Sequence, residues 1–71
     1  MNAQELAAEV LEVSANIKEA QDDCARLKRV IKATPFFSDE EASAEAELLE
    51  AEDRLAFWTV DLAQTLENAA N

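Results

Sequence analysis

Apolar residues recur every three or four positions from near the start of the chain to its only proline. Leu6, Val10, Val13, Ile17, Ala20, Cys24, Leu27 and Ile31 follow one another at alternating steps of four and three. That spacing puts one apolar side chain per turn on a single helical stripe, with the period of a coiled-coil seam. A second seam begins after Pro35 and runs through Ala44, Leu48, Ala51, Leu55, Trp58, Leu62, Thr65 and Ala69. No stretch alternates β-branched and polar residues over a strand length. Two seams around one short turn specify an all-α, coiled-coil-like antiparallel two-helix hairpin, read as a single domain over residues 1–71.

Local signals set the bounds. Helix 1 is expected over 2–33, with Glu5, Glu9 and Glu12 near its start and Arg26, Lys28, Arg29 and Lys32 near its end. Both groups complement the helix dipole. Thr34 precedes Pro35 and is pushed out of the helical region, so the turn falls at 34–37. Helix 2 is expected over 38–69. Ser38 is the cap, because Ser38-Asp39-Glu40-Glu41 has the form of a capping box. Phe37 is expected to pack on Ala42 as a hydrophobic staple. A rival start uses Thr34 as cap with Pro35 in the first turn; the three features supporting Ser38 favour the later one. At about 1.5 Å per residue the rod should be on the order of 45 Å long. Folding about the turn sets Leu27 near Ala44, Cys24 near Leu48, Ala20 against Ala51, Ile17 against Leu55, Val13 against Trp58 and Val10 against Leu62.

The seam leaves apolar residues over. Leu49, Ala56, Thr59, Ala63, Leu66 and Ala70 form a second stripe on helix 2, and Ala7, Leu11 and Ser14 form its counterpart on helix 1. Both lie toward the end that carries the termini. A wide apolar face on a small chain marks an association surface. Leu11, Leu49, Ala56, Ala63 and Leu66 are the residues expected to bury it, pairing two hairpins into a four-helix bundle as a homodimer. Size argues the same way, since a core of this extent seldom supplies more than about 3–5 kcal/mol alone. One cysteine excludes an internal disulfide, and the lack of histidine leaves no ordinary zinc set.

Charge narrows the partners. Sixteen acids against six bases give a net charge of −10. The first 33 residues hold six acids and five bases; the remainder hold ten acids and one base. Such a surface repels nucleic acid and anionic lipid, so neither direct nucleic-acid binding nor membrane binding is expected, and charge favours a basic protein partner. The acid run from Asp39 to Asp53 lies beside the cations of helix 1, which should offset part of it across the pair. No signal peptide or membrane span is expected, and the lone thiol suits a cytoplasmic setting.

Candidate chemistry is sparse. Cys24 sits in the seam as a small apolar residue, without a histidine to activate it. The acid run has neither the glycine of a calcium loop nor the histidines of a di-iron bundle. Trp58 is assigned to the core. Histidine, tyrosine and glycine are all absent, so no catalytic constellation forms. No enzyme activity, cofactor or metal is expected. Candidate partner contacts are Phe36 and Phe37 at the turn, of which one should cap the hairpin core. Phe57 and Val60, outside both stripes, are further candidates, with Glu45, Glu50 and Asp53 in the acid run.

Three functional classes fit. The leading one is a non-enzymatic protein–protein interaction module: a small acidic adaptor, chaperone or assembly factor that self-associates and docks on another protein. The alternative is an acidic DNA-mimic inhibitor of a nucleic-acid-binding protein, of the kind carried by phages and mobile elements. A third is a spacer within a larger assembly. An adaptor needs apolar, salt-tolerant contacts; a mimic needs acids aligned on one exposed face and salt-sensitive binding.

Overall fold

The computed structural model describes residues 2–70. Two helices, α1 (Ala3–Ala33) and α2 (Asp39–Ala70), lie antiparallel and take up 91 % of them. The rod measures 51 × 15 × 12 Å, slightly longer than the helix rise alone predicts because the turn adds to it.

Both helices start where their caps require. The Asn2 side chain accepts a hydrogen bond from the Glu5 amide at 2.8 Å, satisfying one of the free donors of the first turn. At the other end of α1 the backbone of Thr34 is extended, as the residue before a proline must be. Its amide still donates to the Val30 carbonyl at 3.1 Å, and its hydroxyl to the Ile31 carbonyl at 3.1 Å. Ser38 caps α2: its Oγ accepts from the Glu41 amide at 3.1 Å and donates to the Pro35 carbonyl at 2.8 Å. The return arm of the capping box differs from expectation. Glu41 reaches past Ser38 to the Phe37 amide at 3.4 Å, because the Ser38 amide is turned toward the Pro35 carbonyl.

The expected staple does not form. Phe37 adopts φ 63°, and this left-handed turn swings its side chain away from Ala42 and into solvent. Neither phenylalanine caps the core, since Phe36 and Phe37 are 86 % and 98 % exposed. The pairing of the seams, in contrast, follows the sequence. Cys24, Leu27, Ala44 and Ala51 form the buried centre, with Ile31, Leu48 and Leu55 packed against it. Val13 and Ala20 are also buried. Alanines at 20, 44 and 51 bring the backbones close, and the core is made mostly of small side chains, with Leu27 its one large aliphatic member.

The expected offset of the acid run by Arg26, Lys28, Arg29 and Lys32 is not made by ion pairs. Among the described residues the one ion pair joining the helices is Arg54–Asp23 at 3.3 Å, with the cation on α2. Arg26 turns to Asp23 of its own helix at 3.7 Å. The acids of residues 39–53 are spread around α2 rather than aligned toward α1, so only Glu45 comes into one groove with Lys28, Arg29 and Lys32.

Candidate functional site

The helices are rotated about their axes so that the two sets of seam positions are not equivalent. One set comprises Leu6, Val13, Ala20 and Leu27 on α1 with Ala44, Ala51, Trp58 and Thr65 on α2, and all are buried except the half-buried Leu6 and Trp58. The other comprises Val10, Ile17, Cys24 and Ile31 with Leu48, Leu55, Leu62 and Ala69; Cys24 is buried and Ala69 exposed, and the six large aliphatic residues are only half-buried. The small residues therefore meet at the helix–helix contact, and the large ones lean out of it to one side. Leu27 and the half-buried Leu6 and Trp58 are the large exceptions in the first set.

The two sides of the hairpin differ accordingly. On one side polar residues bridge the helices: Asp23 to Arg54, and the Thr65 hydroxyl donating to the Glu9 carboxylate at 3.4 Å. A shallow groove of about 460 Å³ on this side has Val13 and Trp58 as its floor and Glu5, Glu9, Glu12 and Asp61 around it. Trp58 is thus not fully in the core, as the sequence had suggested, but half-buried, with its ring centroid 5.0 Å from that of Phe57 in an edge-to-face arrangement.

The opposite side has no such bridges among the described residues. Near the turn it opens into a groove of about 580 Å³, floored by Ile31 and Leu48 and edged by Lys28, Arg29, Lys32 and Glu45. From there helical periodicity continues this side through Leu49 and Ala56 on α2 and, toward the termini, through Leu11 on α1 and Ala63 and Leu66 on α2. All five are exposed, Leu11 to 71 % and Leu66 to 50 %. The five residues proposed from sequence for self-association thus share one side of the hairpin. The half-buried Val10, Ile17, Ile31, Leu48, Leu55 and Leu62 open toward it and widen it, which the sequence reading missed. The available signal was the alternation in size along α2, where Ala44 and Ala51 are interleaved with Leu48, Leu55 and Leu62.

The remaining candidates do not converge on it. Phe57 and Val60 are exposed on other faces of α2, as expected. Glu50 and Asp53 lie one turn apart on the outer surface of α2, away from the groove that contains Glu45. Phe36 and Phe37 stand together at the turn, with ring centroids 6.4 Å apart. For a bulky residue the left-handed backbone at Phe37 costs about 1–2 kcal/mol, whereas asparagine tolerates it. Phe37→Asn should therefore stabilise the hairpin by about 1 kcal/mol in denaturant unfolding. A loss of stability would show that the ring contributes packing and is not free for a partner.

Cys24 is buried as a free thiol. Among the described residues no group of three or more histidines, cysteines or carboxylates is placed to hold a metal ion, and no helix is long and apolar enough to cross a membrane. No protein-family model matches the chain, and no curated protein or solved structure matches it significantly.

Proposed function

We propose that this chain is a non-enzymatic protein–protein interaction module that self-associates as a homodimer through its open apolar side and docks on another protein. The observation that carries the reading is the misplacement of apolar bulk. The core is built largely of alanine, with one valine, one leucine and a cysteine, while Leu11, Phe36, Phe37, Leu49, Phe57, Val60 and Leu66 stand exposed. The surface area gives the scale. At 7.8 kDa a compact monomer should expose about 4,400 Å², and this chain exposes 5397 Å². The difference is on the order of the 800 Å² that each partner contributes to a stable interface.

Association would complete the missing core. A leucine taken from half or two-thirds exposure to burial contributes about 1–2 kcal/mol. Leu11, Leu49 and Leu66 are available for this in each copy, together with the half-buried seam residues beside them. Two hairpins joined by that side form a four-helix bundle whose inner positions are the large seam residues. The turn, with Phe36 and Phe37, and the outer surface of α2, with Phe57 and Val60, stay outside the bundle and are left for the second protein.

Coupled folding and association has a direct signature. The thermal unfolding midpoint should rise with protein concentration, because a dimer is favoured by mass action. A midpoint that stays constant over about a hundredfold concentration range would contradict self-association and leave the open side to a different protein.

A further inference from the structure

We infer that the two hairpins of the dimer run in the same direction, with the two-fold axis along the rod, so that α1 of each copy packs against α2 of its partner and both turns lie at one end. This rests on the homodimer just proposed and adds its geometry. Only two closed two-fold arrangements bury the open side against itself over the whole rod. With the axis along the rod, α1 faces the partner's α2. With the axis across the rod, α1 faces the partner's α1 in the opposite direction and α2 faces α2.

Charge decides between them. Within the hairpin, Val13 lies beside Trp58, Glu9 meets Thr65, and Lys28 shares a groove with Glu45. In the first arrangement the same levels are kept between copies. Lys28 then faces the partner's Glu45, Lys18 comes level with the partner's Glu52, and Leu11 meets the partner's Ala63 and Leu66. Cations meet carboxylates near the turn, and apolar residues meet apolar residues near the termini. In the second arrangement Lys18, which lies near the middle of α1, approaches its own copy across the axis. Glu45 is then set against the partner's Ala63, and the exposed end of Leu66 against the acidic start of α2. Lys18 is free to take a new partner, since its contact with Asp22 is 4.0 Å long and open to solvent. Like-charge and charge-on-apolar contacts penalise the second arrangement, and complementary charge fixes register and orientation in the first.

One consequence is a tip where two copies of the exposed Phe36–Phe37 pair stand side by side. A spin label at Phe36→Cys, in a Cys24→Ala background, reads the arrangement by pulsed dipolar spectroscopy, with Asn68→Cys as the label for the other end. Both positions are exposed. The expected result is a short distance at both ends, on the order of 20–30 Å for helices packed 8–10 Å apart with label arms added. Long distances at both ends, comparable to the 51 Å rod, would overturn the shared direction while leaving the dimer intact. Absence of any dipolar coupling, with a sedimenting monomer, would overturn the dimer itself and this geometry with it.

Discussion

Leu27→Ala is expected to lower the stability of the protein by about 2–5 kcal/mol, the range for deleting a buried leucine side chain. Leu27 is 3 % exposed and lies at the centre of the buried cluster with Cys24, Ala44 and Ala51. Its neighbours are small, and their backbones already approach closely through the alanines, so the structure has little freedom to collapse into the space. The upper half of the range is therefore the better estimate. Phe57→Ala removes a larger side chain from a residue 63 % exposed. It should cost far less, because much of its surface is already in water. Denaturant unfolding of the two variants beside the wild type measures the difference. Equal losses would mean that the seam has been placed on the wrong face of α2.

Ala63→Glu is expected to abolish association. Ala63 is exposed in the single hairpin, so the seam tolerates the longer side chain and the helical circular dichroism per folded molecule should be kept. In the dimer the same carboxylate is taken out of water opposite Leu11 without a cation to pair with, at a cost on the order of several kcal/mol per copy. Two copies per interface double the effect. The unfolding midpoint of the variant should fall and lose its dependence on concentration. Ala46→Glu is the control: it makes the same chemical change on the outer surface of α2 and should leave both properties near those of the wild type. A dimeric Ala63→Glu variant of unchanged stability would move the interface to another face of the rod.

Much of the fold was legible because it depends on short-range rules. Pro35 ends α1, Ser38 starts α2, and heptad spacing fixes which residues share a stripe. The bounds read from those signals lie within one residue of those observed. What escaped was geometry that spacing does not encode. A heptad names two sets of seam positions but not the rotation of each helix by a few tens of degrees that decides which set is buried more deeply. Here the size of Ala20, Ala44 and Ala51 decides it: close backbone approach is possible only where side chains are small. That rotation sends Ile31 and Leu48 toward the open side and leaves Trp58 half in a groove.

The turn escaped for a similar reason. The sequence around Phe37 has the composition of a staple, but the φ of 63° at Phe37 aims the ring away from Ala42. A one-residue backbone choice outweighs a pattern that is only statistical. Charge was legible as a total and misread as pairs. The cations of α1 and acids of α2 lie at one end of the rod, yet the inter-helix ion pair forms farther along, between Asp23 and Arg54. Long side chains at outer positions on adjacent helices do not meet merely by being level. That Leu11, Leu49, Ala56, Ala63 and Leu66 share one side was recoverable because each position is set by helical phase alone; the half-burial of the six large seam residues beside them was not, because it depends on the rotation.

The most direct measurement is the mass of the wild-type protein in solution by sedimentation at tens of micromolar and physiological salt. Self-association through the open side predicts a single species at twice the 7.8 kDa chain mass, little changed by added salt because the contact is chiefly apolar. A species at the mass of one chain, folded and stable under those conditions, would contradict it.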